Sequence, residues 1–409
     1  MKVVWLCHFS NKNIQAKLKL NPRIKCHDFA PWITDTIKQF QNCDDVDLHI
    51  VSPHKGMREL IQEFLIDGIH YHFFKCDIPF VHQKYWKLKG IYLNRFVRDK
   101  FLPNKMMVRI IMNKIQPDVI HLQGAENPYY SSAILQFNGV YPVVVNLQRM
   151  NLDFSFGSTA KALNREHTEK LILSSFRHFG VRTKKMRDDF LTYNNQAITH
   201  WMNFAFQDVK PISVPKEYDI VFFGRVCKEK GIEDLLHALS IVRKEVTDVK
   251  LCVIGNVMMD YRSYLDQLIK TLDIEGCVTW KGHLPTLKDV HIETSKARIC
   301  VLPTHYDIIP GTIIESMQLA IPVVSYRTGS IPELNADREN ILLCDKGDIS
   351  GLANNVVKLL SDDSLYRTMA NRGLECVDEW FAGESILRQH LECYRASIDD
   401  FYELRKSRR

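Results

Sequence analysis

The stretch ICVLPTHYDIIPGTIIESM, residues 299–317, decides the fold. It begins with a short continuous apolar run, which is typical of a buried parallel strand, and we expect that strand to end near Leu302. A loop that carries Asp307 follows. Pro310 indicates the start of a helix, because proline is favoured in a first helical turn. The stretch therefore predicts a strand–loop–helix unit of an α/β domain with a parallel sheet.

The turn at residues 310–312 is a candidate site for an anion. Helix N-termini bind anions through free backbone N–H groups and the helix dipole, and Gly311 lets a ligand approach the backbone closely. Glu315, one turn into the helix, would then accept hydrogen bonds from ligand hydroxyls. Alternatively, Thr312 and Glu315 form a capping box, in which Glu315 only satisfies its own helix terminus. This segment alone does not decide between the two interpretations.

A second candidate site lies at GRVCKEKG, residues 224–231. It follows the apolar run Ile220–Phe223 and precedes another helix. Arg225 offers a planar fork of donors and Lys230 a point charge, both suited to phosphate. The alternative is that these are solvated loop charges. The two glycines that bracket the loop favour phosphate binding.

The same alternation of strands and helices extends over nearly the whole chain. Short apolar runs predict buried parallel strands at Val3–Cys7, Leu48–Ser52, Val119–Leu122, Val143–Leu147, Ile220–Phe223, Leu251–Ile254, Ile299–Leu302 and Val323–Tyr326. Longer amphipathic stretches predict helices at Ile232–Val246, Tyr261–Leu272 and Ile349–Leu360. The fold class is therefore α/β, with doubly wound sheets.

The chain has 409 residues, which is too long for one ordinary core. A segment that contains Pro211 and Pro215 breaks the periodicity before a new strand begins. We predict two Rossmann-like domains, residues 1–207 and 208–382, and a C-terminal helix in residues 383–409 that packs back on the first domain. Ligands are expected in a cleft between the two domains, at the carboxyl ends of the strands.

Composition excludes several other classes. Hydrophobic residues make up 45% and charged residues 25%, which is ordinary for a globular protein. The eleven cysteines are odd in number and have no CxxC spacing, which argues against a disulfide framework or a zinc site and for a reducing compartment. The first apolar run is a poor signal peptide, and no run approaches the roughly 20 residues of a membrane span. We expect a cytoplasmic protein.

A stretch rich in Lys, Arg and aromatic residues extends from Lys84 to Lys114. Such a segment could lie on anionic lipid, as a peripheral contact at the inner face of a membrane. The alternative, which we favour, is a solvated helical face around core aromatics. No nucleic-acid module accompanies the stretch, so we expect no nucleic-acid partner.

The second half of the chain resembles a known family. Residues 224–231 resemble the GR…KG signature of the GT-B glycosyltransferases, in particular the retaining enzymes of family 4. Asp307 and Glu315 resemble that family's EX7E motif, residues 316–325 its EAMAxGxPVVA and residues 329–333 its GGxPE. The motifs occur in the family's order. Asp307 departs from the pattern, because it is one methylene shorter than the family's Glu.

Weaker likenesses extend the resemblance to both halves. Residues 253–256 are similar to the family's VGxG turn, and residues 281–284 to the turn near the base. In the first half, residues 117–126 and 141–148 look like two of the family's strand ends, with Gln148 in place of the usual His. The resemblance therefore implies two domains of the GT-B fold.

The resemblance also implies site residues. Donor contacts are expected at Gly224, Arg225, Lys230, Gly255, His283, Gly311, Thr312, Ile313 and Glu315. Arg225 and Lys230 would hold the donor diphosphate, Glu315 the ribose diol, and Asp307 would lie by the donor sugar. These four are the residues expected to carry catalysis. Four strand-end residues could meet the acceptor, namely His121, Gln123, Glu126 and Gln148. For His121 we favour a structural role over catalysis.

The implied reaction is transfer of a sugar, with retention, from a nucleotide sugar, expected to be UDP-linked, to a glycan or lipid-linked acceptor in polysaccharide or glycolipid biosynthesis. No metal and no cofactor are expected, since the nucleotide sugar is a substrate. Two alternatives keep the fold, a nucleotide-sugar epimerase and a phosphorylase. A third, which Asp307 keeps open, is an inactive subunit that binds nucleotide sugar or glycan.

Overall fold

A computed structural model describes residues 1–24, 29–41, 43–76, 101–148 and 160–407. The chain forms two compact units. The N-terminal unit comprises Met1–Arg182, Met186–Ala205 and Gly383–Arg409, and the C-terminal unit Thr183–Lys185 and Phe206–Ala382. The C-terminal unit thus begins at Phe206, where the sequence suggested residue 208, and it includes a short segment, Thr183–Lys185, that the sequence did not single out.

The N-terminal unit is built on an eight-stranded sheet. Its strands are β1 (Lys2–Leu6), β2 (Asp47–His54), β3 (Ile61–Ile66), β4 (Ile69–Lys75), β5 (Val119–Gln123), β6 (Val143–Asn146), β7 (His178–Val181) and β8 (Ile198–Trp201). Their order across the sheet is β3-β4-β2-β1-β5-β6-β7-β8. Only the β3–β4 pair is antiparallel, and the other neighbours run parallel.

The C-terminal unit is built on a six-stranded parallel sheet. Its strands are β9 (Tyr218–Phe223), β10 (Leu251–Ile254), β11 (Val278–Gly282), β12 (Ala297–Leu302), β13 (Val323–Tyr326) and β14 (Leu342–Cys344). Their order is β11-β10-β9-β12-β13-β14, and every neighbouring pair is parallel. The carboxyl ends of all six strands therefore meet at one edge.

Helices connect the strands. They are α1 (Lys12–Lys17), α2 (Pro31–Lys38), α3 (Leu102–Ile115), α4 (Pro128–Ser131), α5 (Ala160–Ser175), α6 (Lys184–Tyr193), α7 (Ile232–Val242), α8 (Met259–Thr271), α9 (Leu287–Ser295), α10 (Gly311–Gln318), α11 (Ile349–Ser361), α12 (Asp363–Phe381) and α13 (Gly383–Ser407). Short 3₁₀ turns lie at Ser132–Phe137, Lys228–Lys230, Glu275–Cys277 and Ile331–Asn335. Within the described residues, no helix is both long and apolar enough to cross a membrane.

The predicted α/β architecture is confirmed, because all eight predicted strands and all three predicted helices are present with small shifts at their ends. Six strands were not predicted, namely β3, β4, β7, β8, β11 and β14. The antiparallel β3–β4 hairpin carried a signal: Asp67-Gly68 joins the strands with φ of 49° and 76°, the combination that a tight hairpin turn requires.

Apolar packing fixes each unit. In α7, Leu235, Leu239 and Val242 share one face and are fully buried against the six-stranded sheet. In the N-terminal unit, the Nε1 group of Trp5 on β1 donates a hydrogen bond to the hydroxyl of Tyr394 on α13 at 2.8 Å. The last helix is therefore part of the N-terminal core.

The cysteines behave as small apolar residues. The described cysteines are free thiols. Burial raises the pKa of Cys252 and of Cys300 to about 12, so these thiols stay protonated and unreactive near neutral pH.

Candidate functional site

Three glycines lie where neighbouring strands of the C-terminal sheet end. Gly224 follows β9, Gly255 follows β10 and Gly282 closes β11, and all three have positive φ. A Cβ atom at Gly255 would lie 1.7 Å from the carbonyl oxygen of Gly224, so no other residue fits there without a backbone shift. The two loops pack backbone against backbone and leave a surface with few side chains.

The loop after Gly224 is fixed against the loop after β12. The carbonyl oxygen of Glu229 accepts hydrogen bonds from the backbone N–H of His305 at 2.9 Å and from the Thr304 hydroxyl at 3.2 Å. A Cβ at Gly231 would lie 1.9 Å from the carbonyl oxygen of Pro303. The two motifs recognised in the sequence, residues 224–231 and the loop that carries Asp307, thus form one site.

Arg225 and Lys230 have different surroundings within that site. Arg225 is exposed, and its guanidinium makes no salt bridge with any described residue. Lys230 forms an ion pair with Asp307, and about a quarter of each of the two side chains is exposed. Lys230 and Asp307 were each predicted to lie beside the donor. The sequence did not indicate that these two side chains would contact each other.

The helix start is shaped as the sequence suggested. Helix α10 begins at Gly311 after Pro310, and no side chain caps it. The N–H groups of Gly311 and Thr312 have no acceptor among the described residues, so they can donate to a ligand. A Cβ at Gly224 would lie 3.5 Å from Cγ2 of Thr312, so this helix start adjoins the first loop.

Two expectations at this helix need correction. The N–H of Ile313 donates to the carbonyl oxygen of Pro310 at 3.1 Å and its side chain is fully buried, so Ile313 does not offer the free backbone contact that we expected. The capping-box alternative is also wrong, because the helix begins without any side-chain cap and Glu315 lies beyond its first turn.

Glu315 has a partner that the sequence did not reveal. Its Oε2 atom lies 3.1 Å from Nε2 of His291 on α9, and His291 is only 4% exposed. The Glu315 side chain remains about a fifth exposed, so it can still reach a ligand. His291 orients the Glu315 carboxylate from its buried side. A single histidine in an amphipathic helix gives no indication in the sequence that it has this role.

His283 directly follows Gly282 and is exposed. The backbone N–H of Gly255 donates to the carbonyl oxygen of Gly282 at 2.8 Å, which places the His283 turn beside the glycine loops. His283 thus lies at the end of β11, and its contact with the base of a nucleotide stays a prediction.

A cluster of one buried and two half-buried side chains supports the Asp307 loop. The Tyr326 hydroxyl donates to Oδ2 of Asp234 at 2.8 Å, and Nε2 of His305 lies 3.0 Å from the same oxygen. Burial and the adjacent Asp234 raise the pKa of Tyr326, so its hydroxyl keeps the proton that it donates. No local sequence pattern indicates this cluster, since its three members come from separate segments.

Two of the four acceptor-side residues are core residues. His121 and Gln123 on β5 are buried. Nδ1 of His121 lies 2.7 Å from the Tyr394 hydroxyl, and burial lowers the pKa of His121 well below its usual range, so the ring is neutral. Gln123 accepts from the Asn146 amide at 3.3 Å. These side chains line no surface of the unit, which corrects the expectation that they meet an acceptor.

The other two acceptor-side residues remain candidates. Glu126 and Gln148 are half-buried, after the carboxyl ends of β5 and β6. The Gln148 amide donates to the Gln123 carbonyl oxygen at 3.2 Å, and the Glu126 carboxylate lies over Gly124, where a Cβ would be 2.6 Å from it. Both can present polar atoms at this edge of the N-terminal sheet.

The basic stretch Lys84–Lys114 lies mostly outside the described residues, which resume at Phe101. On α3, Arg109 donates to the Gln136 side chain at 2.8 Å, and Lys114 forms an ion pair with Glu63. These two cations therefore have protein partners, and membrane contact through the stretch stays a prediction.

Comparison with known proteins agrees with this geometry. Residues 204–375 match the family described as "Glycosyl transferases group 1". The curated N-acetyl-alpha-D-glucosaminyl L-malate synthase of Bacillus anthracis is 29% identical over 192 residues, which are 45% of this chain and 49% of that protein. The match thus spans about half the length of this relative.

Solved structures extend the likeness to both units. Sucrose-phosphate synthase of Thermosynechococcus elongatus has a TM-score of 0.71 at 16% identity, over 97% of this chain and 98% of its own. HepE of Anabaena, solved in complex with UDP, has a TM-score of 0.65 at 15% identity, over 97% of this chain and 100% of its own. Residues 204–375 are therefore similar to the glycosyl transferases group 1, and the chain as a whole has the GT-B fold.

Proposed function

We propose that this protein is a glycosyltransferase that moves a sugar from a nucleotide-sugar donor, with retention, to a glycan or lipid-linked acceptor. The observation that carries the proposal is the convergence, at one edge of the C-terminal sheet, of an exposed arginine, a lysine, free helix N–H groups and a carboxylate. Positive groups and N–H donors at a helix N-terminus suit a diphosphate. The carboxylate suits a ribose diol.

Arg225 and Lys230 would act on the leaving group. Negative charge grows on the nucleoside diphosphate as the bond to the sugar breaks, and fixed positive groups stabilise that charge. Arg225 makes no salt bridge with a described residue and can bind the diphosphate directly, whereas Lys230 must first exchange Asp307 for a phosphate oxygen. Since these side chains supply the positive charge, we propose that transfer requires neither a metal nor another cofactor.

Asp307 would lie by the donor sugar when Lys230 turns to the diphosphate. Its ion pair also keeps a second candidate open, an inactive nucleotide-sugar-binding subunit in which Asp307 occupies Lys230 permanently. Both candidates would bind the nucleotide sugar, but only the enzyme would transfer its sugar.

UDP is the first nucleotide to test. HepE has been solved with UDP, and the name of the Bacillus relative includes an N-acetylglucosaminyl group. Both support a UDP-linked donor. The acceptor class follows from the family resemblance alone.

The test is a thermal-shift screen of the full chain against uridine, guanosine and adenosine diphosphate sugars, since stabilisation grows with site occupancy. The best donor is then incubated with a pool of glycan and lipid-linked acceptors, and the anomeric configuration of any product is read by NMR. Transfer with retention supports the proposal. Donor conversion without an acceptor would indicate an epimerase, binding without turnover an inactive subunit, and no binding at all would overturn the proposal.

A further inference from the structure

Three potential metal ligands lie together at the amino ends of two neighbouring strands of the N-terminal sheet, β2 and β4. Asp47 and His49 lie at the start of β2, and His70 lies at the start of β4, directly opposite His49 in the parallel register. Oδ2 of Asp47 lies 3.3 Å from Nε2 of His49, and Oδ1 lies 3.5 Å from Nε2 of His70. All three ligand atoms lie within 4.8 Å of one another.

These separations suit a tetrahedral ion. Ligands held about 2.0–2.1 Å from zinc at tetrahedral angles are roughly 3.3 Å apart. The rings of His49 and His70 stack with centroids 4.6 Å apart, so both present Nε2 to the same carboxylate. His70 is half-exposed, and a small turn of its ring brings its Nε2 to a shared ion.

A hydrogen-bond chain orients His49 from behind. Nδ1 of His49 lies 3.0 Å from Nε2 of His72, and Nδ1 of His72 lies 3.1 Å from the Glu63 carboxylate. A carboxylate only accepts, so His72 Nδ1 carries its hydrogen and His72 Nε2 accepts from His49 Nδ1. The lone pair of His49 is then on Nε2, which faces Asp47 and His70. Carboxylate–histidine pairs of this kind typically support metal-binding imidazoles.

The same Nε2 atom is otherwise unsatisfied. His49 is 8% exposed, and apart from the 3.3 Å approach of Asp47 Oδ2 its Nε2 has no polar partner among the described residues. A buried polar atom without a hydrogen bond needs an explanation, and an unobserved ion is one of the recognised ones.

We infer that Asp47, His49 and His70 bind one divalent transition-metal ion. Two imidazoles and one carboxylate match the preferences of Zn²⁺, with water in the fourth position. The half-exposed side chains of Asp47 and His70 leave a path from solvent. Because the ligands come from two neighbouring strands, the ion would tie β2 to β4.

This site is separate from the proposed transfer chemistry. Asp47 pairs with Lys2 at the amino ends of the parallel strands, whereas Glu126 and Gln148 follow the carboxyl ends of β5 and β6. A bound ion here would act on the stability of the sheet, and the donor site can remain free of metal.

The test is calorimetric titration of ZnCl₂ into the full chain after treatment with a chelator. We expect one equivalent of zinc to bind and to raise the melting temperature. Asp47→Asn and His70→Ala remove half-exposed ligands and should each weaken zinc binding at least about tenfold. Glu63→Gln removes the carboxylate behind His72 and should weaken it by about tenfold, as changes behind a ligand usually do. His167→Ala, at an exposed histidine of the same unit, is the matched control.

Circular dichroism of each variant without zinc shows whether it is folded. Loss of binding in folded Asp47→Asn and His70→Ala, with binding retained in His167→Ala, supports the site. The inference is overturned if the parent chain does not bind zinc at micromolar concentration. It is equally overturned if binding survives both ligand substitutions, which would place the ion elsewhere, for example at a cysteine.

Discussion

Nε2 of the buried His291 lies 3.1 Å from Oε2 of Glu315, so an imidazole holds this carboxylate at the proposed donor site. We expect Glu315→Gln to weaken binding of UDP about tenfold, because a charged acceptor for the ribose hydroxyls is lost. Binding of a nucleotide that lacks the ribose diol should change little. Calorimetry with UDP and 2′,3′-dideoxy-UDP measures the difference.

The exposed Glu245 provides the control, since Glu245→Gln should change neither titration. If Glu315→Gln lowers the melting temperature and leaves the preference for the ribose diol intact, Glu315 serves only to satisfy His291.

The Lys230–Asp307 ion pair predicts opposite effects on binding and on turnover. Asp307→Asn frees Lys230 and removes a negative charge beside the diphosphate, so we expect UDP to bind about threefold more tightly. Sugar transfer should fall at least about tenfold, because the carboxylate beside the donor sugar is lost. Asp273→Asn removes a solvated partner of Arg243 in the same unit and serves as the control. Weaker UDP binding in Asp307→Asn would mean that Asp307 instead holds Lys230 in place for the phosphate.

The close approach of Gly255 to Gly224 predicts a large difference between two glycine substitutions. Gly255→Ala places a Cβ 1.7 Å from a carbonyl oxygen at φ 143°, so we expect the free energy of unfolding to fall by about 3 kcal/mol. Gly276→Ala places its Cβ in open space and should be nearly neutral. Urea unfolding of both variants compares them. Equal stabilities would contradict the packing described for the two loops.

His390 predicts a loss of stability in acid. Burial lowers its pKa to about 4 in the folded chain, against about 6.5 when the ring is free in the unfolded chain. Between these values the unfolded state binds a proton that the folded state does not, so the free energy of unfolding falls as pH falls below 6.5. From pH 7.5 to pH 5 this one group should remove about 2 kcal/mol.

Urea unfolding at the two pH values measures this dependence. His390→Phe removes the titrating ring and should make the loss smaller, whereas His167→Phe, at an exposed histidine, should leave it unchanged. An identical loss in the parent chain and in His390→Phe would exclude His390 as a source of the acid sensitivity.

Much of the fold could be predicted because buried parallel strands are continuous apolar runs, as in Leu251–Ile254 and Ile299–Leu302. The strand Ile61–Ile66 escaped prediction because it lies at the sheet edge and alternates in exposure. Its Asp67-Gly68 turn was the only local signal. Strands as short as Leu342–Cys344 contain too few residues for a periodic pattern.

The candidate site could be predicted in part. Glycine loops and a helix start have local signatures, so Gly224, Gly255 and Gly311 were recognised in the sequence. The contact of Lys230 with Asp307 and of His291 with Glu315 depends on how distant segments pack. The same holds for the burial of His121 in the middle of β5, because a polar residue in a strand gives no local indication that a distant helix covers it.

The central claim is that the C-terminal unit binds the diphosphate of a nucleotide sugar, and Arg225 tests it most directly. Calorimetry of UDP should show a loss of affinity of at least about tenfold in Arg225→Ala, since one charge-assisted contact is removed. Arg367→Ala, at another exposed arginine of the same unit, should bind UDP like the parent chain. Equal UDP affinity in the parent chain, Arg225→Ala and Arg367→Ala would contradict the account.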